Sequence, residues 1–259
     1  MPTYRCVVEY DGSAFHGFQY QPDLKTVAGA LEAALAPLFR APVKVTAAGR
    51  TDAGVHASGQ VISFSAEHPF PIERLALALN ATLPRDCCVR DVAIVADGFS
   101  ARFDARERVY NYLILNRRTP SALWRQRAWH VVRPIDDALF AAAAAPLVGT
   151  HDFVAFCGEL PENGGHTVRE VYAIELERDG DGILRIVVRG NAFLHRMVRV
   201  IVGTLTGSAT GYRDPDQAAR ALAARDRTLA GETAPAHGLY FAGVRYADID
   251  TYRPVRLAP

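Results

Sequence analysis

The sequence predicts an α+β fold built from two halves. Three observations carry that reading. Strand-like and helix-like segments recur in two similar series, no repeat of fixed period links them, and the composition is that of an ordinary globular protein. Of 259 residues, 49% are hydrophobic and 22% charged, a length that suits one large domain or two of usual size. The expected halves are 1–105 and 106–259.

The first series opens with Tyr4 to Tyr10 (YRCVVEY), a strand pattern that runs into the turn pair Asp11-Gly12. From Thr26 to Phe39, the residues Val27, Ala30, Leu31, Ala34, Leu35 and Leu38 share one helical face. Pro37 should end or distort the last turn of that helix, because it lacks an N–H and crowds the turn before it. Val43 to Ala48 and Gly59 to Ser65 read as strands, Ile72 to Leu79 as a short apolar helix and Val89 to Ala96 as a strand.

The second series starts near Arg108. Val109 to Leu115 (VYNYLIL) is a strong strand, and Asp136 to Ala145 a helix with Asp136 as its cap. Val168 to Leu176 and Ile183 to Val188 read as strands joined by the turn Asp179-Gly180-Asp181-Gly182. A helix is expected from about His195 to Leu205. Another enters at Asp214-Pro215, a cap followed by proline, and should run to Leu229. Tyr240 to Tyr246 closes the chain as a strand.

Composition narrows the function classes. No apolar run approaches the roughly 20 residues that cross a bilayer, and the N-terminus enters strand-like sequence at once, so a cytoplasmic protein is expected. Cys6, Cys87, Cys88 and Cys157 lack the spacing of a zinc half-site, and the eight histidines form no ligand pattern. Reduced buried thiols and no metal are the expectation. Net charge is only +1, yet 27 of the 29 basic residues are arginine and they cluster. Eight lie between Phe99 and Arg133 against Asp104 and Glu107, and five lie between Arg185 and Arg213 with no acid among them. Local basic surface of this kind suits a phosphate backbone, although an arginine-rich, alanine-rich coding bias would produce it too.

The segment AAGRTDAGVHASGQVISF, Ala47 to Phe64, carries the candidate chemistry. Thr51-Asp52-Ala53-Gly54 between two strands serves equally as a simple turn or as a loop presenting Asp52. Gly49 and Gly54 match the glycine spacing of a phosphate loop, but Val55-His56 stands where Lys-Ser/Thr is required. The segment holds no serine elbow, no Cys-His signature and no close carboxylate pair. An aspartate acting alone needs a cation beside it, and Arg50 is two residues away.

Five motifs in order then resemble one family. Gly49-Arg50-Thr51-Asp52-Ala53-Gly54-Val55-His56, with Gly59-Gln60-Val61 behind it, closely resembles the catalytic motif of the tRNA pseudouridine synthase A family. Glu9 to Gly12 with Phe15 to Gln19, Ala101 to Phe103 with Arg108 to Tyr112, Asn191 to Gly203, and Ala234 to Leu239 resemble its other motifs. Departures are small: Arg196 stands where the family often has His, and Phe18 where Trp is frequent.

The resemblance implies two α/β subdomains sharing a mixed, mainly antiparallel sheet, with an active site in a central cleft. It implies isomerisation of uridine to pseudouridine in the tRNA anticodon stem-loop, at positions 38, 39 and 40, by a homodimer that needs no cofactor. By position in the motifs, Asp52 matches the family's catalytic aspartate, a covalent nucleophile. Tyr110 matches an active-site tyrosine, against the alternative of a core tyrosine in a strand, and Tyr112 on the same face fits that alternative. Arg199 matches a cleft arginine paired with the aspartate. Arg50 matches an arginine that holds a flipped nucleotide out of its stack. The arginines of residues 102–133 then become tRNA backbone contacts. His56 has no assigned role, and a hydrogen bond closing the loop is the simplest one. An RNA-binding module without chemistry and a single-aspartate nucleoside hydrolase are the competing classes; the first needs a broken Asp–Tyr–Arg set, the second release of free uracil.

Overall fold

The computed structural model describes residues 1–160, 165–178 and 180–255. Its contacts divide the chain into two compact units. The first is Met1–Arg108 with the closing segment from Tyr240, and the second is Val109–Leu239.

In the first unit, β1 (Thr3–Tyr10) lies between β4 (Cys87–Val95) and β3 (His56–Ser65), antiparallel to both. The short β2 (Thr46–Ala47) pairs antiparallel with Ile62–Ser63 of β3. β10 (Leu239–Arg245) runs parallel to the start of β3, Tyr240 opposite His56 and Phe241 opposite Ala57. Of the strand expected over Val43 to Ala48, only two residues pair, at the end of β3 that β10 does not reach.

Two helices complete this unit, α1 (Val27–Phe39) and α2 (Ile72–Asn80). Thr26 caps α1 by accepting the Gly29 amide, a bond worth about 1 kcal/mol. Pro37 does not stop α1, which runs two residues further and ends with Arg40 in the left-handed region, its amide on the Ala36 carbonyl. Leu31, Leu35 and Phe39 are buried. Phe39 meets Tyr4 and Phe64 edge-on at 5.4 and 5.5 Å, while Tyr4 and Phe64 stack at 5.1 Å. The four cysteines are free thiols, and burial pushes those of Cys6 and Cys87 up to about 12.

The second unit is ordered β5 (Glu107–Leu115), β9 (Ile183–Gly190), β8 (Val168–Arg178), β7 (Gly149–Asp152). β7, β8 and β9 are antiparallel, and β6 (Trp129–His130) lies parallel to the end of β5. The α+β class and the mixed, mainly antiparallel pairing agree with expectation. In the expected turn before β9, Asp179 lies outside the described residues, and Gly180–Gly182 form a single 3-10 turn.

Three helices accompany these strands: α3 (Asp137–Ala144), α4 (Met197–Ala209) and α5 (Gln217–Ala224). Asp136 caps α3 through the Leu139 amide, as expected. α4 is apolar on nearly every side and correspondingly buried. It begins at Met197 because Arg196 takes a left-handed conformation, φ 58°. α5 stops at Arg225, also left-handed, and Asp226 caps a separate 3-10 turn over Arg227–Leu229. Among the described residues no helix is long and apolar enough to cross a membrane.

Candidate active site

The loop from Gly49 to His56 joins β2 to β3 and is held chiefly through its backbone. Thr51 is its internal anchor: buried, with its hydroxyl 2.8 Å from the Tyr10 phenol. Burial raises the Tyr10 phenol to about 12, so it stays protonated at neutral pH and fixes Thr51 as a neutral group. Gln60, also buried, donates to the Gly49 carbonyl at 2.8 Å and accepts the Val61 amide at 3.1 Å. Arg50 is exposed and Asp52 half-buried.

A second loop, residues 11–18, straps the first from outside. Phe18 donates its amide to the Thr51 carbonyl at 3.0 Å, and Gly54 donates to the Phe15 carbonyl at 3.4 Å. The approach requires glycine at two points. A Cβ on Gly12 would lie 2.0 Å from the Val55 carbonyl oxygen, and Gly17, at φ +89°, would place one 2.9 Å from that of Thr51. His56 closes the loop as expected. Its Nδ1 accepts the Gly12 amide at 3.0 Å, and its ring stacks on Tyr240 at 4.7 Å. Asp11 Oδ1 is 3.2 Å from the same nitrogen.

Arg108 corrects one expectation. It lies in the basic run assigned to tRNA backbone contacts, yet it is buried and donates to main-chain carbonyls: Ala48 at 2.8 Å, Arg102 at 2.5 Å and Ala105 at 3.3 Å. A buried guanidinium bonded to these carbonyls positions the chain just before Gly49. Arg117, similarly, is engaged by Asp181 at 3.0 Å.

The other two candidates belong to the second unit. Tyr110 and Tyr112 share a face of β5. Tyr110 is buried with its ring edge-on to Phe193 at 5.2 Å. Tyr112 is the core tyrosine expected: fully buried, it donates to the Pro235 carbonyl at 2.8 Å. A Cβ on Gly238 would lie 2.6 Å from that ring. Arg199, half-buried on α4, donates through Nε to the Ala234 carbonyl at 2.8 Å, and Ala234 returns its amide to the Arg199 carbonyl at 3.1 Å. Burial raises the Tyr112 phenol, and the nearby Arg199 charge opposes that rise. Burial lowers His237, and Arg199 adds to the effect.

The candidates therefore fall into two constellations. Arg50 and Asp52 share one braced loop, while Tyr110 and Arg199 sit on a strand and a helix of the second unit, tied to Phe193 and Ala234. Sequence reasoning missed Tyr10, Gln60, Gly12 and Arg108 as supports of the loop. The adjoining strand pattern flags Tyr10 and Gln60, but nothing local says that their polar ends meet. Among the described residues no group of three or more His, Cys, Asp and Glu side chains is placed to hold a metal ion.

Similarity to known proteins defines an enzyme of the isomerase class that acts on tRNA. The family model described as tRNA pseudouridine synthase matches residues 6–104 and 143–247. The chain belongs to the tRNA pseudouridine synthase family, whose reaction is isomerisation of tRNA uridine. A tRNA pseudouridine synthase A of Caulobacter sp. (strain K31) is 43% identical over 247 residues, covering 95% of this chain and 98% of the relative. That of Bacillus subtilis (strain 168) is 41% identical over 244 residues, covering 93% and 98%.

Proposed function

We propose that this chain converts uridine to pseudouridine in the tRNA anticodon stem-loop, at positions 38, 39 and 40, with Asp52 as nucleophile toward a flipped-out nucleotide. The observation that carries the reading is the Thr51 anchor. It leaves Arg50 and Asp52 as neighbouring opposite charges on a loop whose backbone is fixed on both sides. In the reaction the N1–C1′ bond breaks, C1′ joins C5, C5 gives up its proton and N1 receives one. Nothing is oxidised or reduced, so no cofactor is consumed. Attack at C1′, attack at C6 and elimination to a glycal all begin with an ionised Asp52.

Each other residue has a role in this reading. Flipping a base costs a few kcal/mol, and Arg50 offsets that cost by filling the vacated stack and bonding phosphate through one planar group. Tyr110 supplies an aromatic face for the uracil, and stacking of this kind contributes about 1–3 kcal/mol. Arg199 supplies a cation for the substrate in this reading. The active species is a cytoplasmic homodimer with tRNA lying across both subunits.

Site-resolved mapping of pseudouridine in unmodified tRNA, before and after incubation with the protein, tests this directly. The expected product appears only at positions 38, 39 and 40. Product elsewhere, or release of free uracil, would refute the assignment.

A further inference from the structure

The last arginine of each basic run meets one exposed tyrosine. Tyr212 is 66% exposed, yet the Arg133 guanidinium lies over its ring at 5.3 Å and the Arg213 guanidinium at 5.4 Å. Both arginines are exposed, and among the described residues neither is bonded to a carboxylate. The carboxylates nearby in sequence are committed. Asp214 and Asp216 both engage Arg220, at 2.6 and 3.5 Å, Asp137 engages Arg178, and Asp136 caps α3. Two positive charges thus remain uncompensated beside an open aromatic ring.

The cluster is mounted rigidly. Tyr212 and Arg213 both donate their amides to the Gly207 carbonyl, at 3.1 and 3.0 Å, which folds the chain back over the end of α4. Arg133 sits in a segment clamped by one side chain, Asn116, which donates to the Val131 and Arg133 carbonyls and accepts the Ile135 amide. The Asp136 amide then bonds the Ala209 carbonyl, joining this segment to the same helix end. The negative end of the α4 dipole accounts for a cation at Arg213. It does not account for a second cation at Arg133, nor for an exposed ring between them.

Paired guanidiniums around an aromatic face are the chemistry that grips a polyanion and stacks on a base. α4 has 13 residues, so at about 1.5 Å per residue its two ends lie about 20 Å apart. Arg199 is near one end and Tyr212 just beyond the other. We propose that Arg133, Tyr212 and Arg213 form a second RNA-docking site, which holds a part of the tRNA outside the anticodon stem-loop. Two arginines grip phosphates of one strand, and Tyr212 stacks on an unpaired base beside them.

This rests on the anticodon stem-loop as the target, and the test separates the two claims. Equilibrium binding of full-length tRNA and of the isolated stem-loop is measured across a salt series for wild type, R133A/R213A, Tyr212→Ala, Tyr212→Phe and Arg178→Ala, with kcat at saturating tRNA. R133A/R213A should weaken full-length tRNA about tenfold, flatten the log–log salt slope by about 1.4 to 1.8 for two lost phosphate contacts, and leave stem-loop affinity and kcat within twofold. Tyr212→Ala should weaken full-length tRNA at least fivefold, whereas Tyr212→Phe keeps the ring and binds as wild type. Arg178→Ala removes one charge at an engaged arginine and should change affinity less than twofold. An unchanged affinity for full-length tRNA in R133A/R213A overturns the docking site, as does an equal loss on both RNAs. Failure of the anticodon reading shows separately, as wild-type enzyme that makes no product at positions 38–40.

Discussion

The loop carrying Asp52 and the elements carrying Tyr110 and Arg199 hold their polar groups by different physical means. The loop is fixed by backbone: glycines that admit no Cβ, amides donated across to a second loop, and one buried hydroxyl as anchor. Tyr110 and Arg199 stand on packed elements, a fully buried strand and a nearly all-apolar helix, with Arg199 also bonded to the Ala234 carbonyl. A backbone-held group is sensitive to atoms added anywhere along the strap. A packing-held group is sensitive mainly to atoms removed from itself. Substitutions distant from Asp52 should therefore disturb chemistry in the first region, whereas those in the second should divide cleanly between binding and stability.

The largest break in this contrast is Gly12→Ala. Its Cβ would press to 2.0 Å on the Val55 carbonyl, so the strap must move. We expect a loss of about 1–3 kcal/mol in denaturant unfolding together with at least a tenfold fall in kcat, although residue 12 touches no substrate in this account. Next comes Tyr110→Ala, expected to raise KM for tRNA about tenfold through lost stacking while Tyr110→Phe binds nearly as wild type. Tyr112→Phe should act on stability instead. It strips the donor from the Pro235 carbonyl at a cost of about 1–2 kcal/mol, read as a lower denaturant midpoint with unchanged slope.

The smallest effect is one of pH. Burial holds His237 below its unfolded value, so the unfolded chain binds the proton first. The stability from His237 is complete above the unfolded value of about 6.5. It is lost as pH falls from there through the lowered folded value. His237→Gln should flatten the decline in stability between about pH 7 and pH 5, measured by urea unfolding across that range.

Strong periodicity made much of the fold legible. β1, β5, α1 and α3 lie within a residue or two of their sequence patterns, and Thr26 and Asp136 cap the helices they precede. What escaped lacks a local signal. β6 has two residues and β7 four, too few for any period to show. The starts and stops of α4 and α5 turn on left-handed Arg196 and Arg225, where sequence usually signals such a bend with glycine. The parallel seat of β10 beside His56 joins residues about 180 positions apart, which no window can read. Asp52, Arg50, Tyr110 and Arg199 were found through motif resemblance. Their supports were not, because Tyr10, Gln60 and Arg108 act through hydrogen bonds that only folding brings together.

The central claim is that the braced loop exists to present Asp52. It is tested most directly by Asp52→Asn, a nearly isosteric change that removes the charge, with tRNA affinity and pseudouridine formation measured on the same preparation. The account predicts affinity within a few-fold of wild type and a rate of pseudouridine formation lower by at least about a thousandfold. Turnover near the wild-type rate in a variant that binds tRNA normally would contradict it.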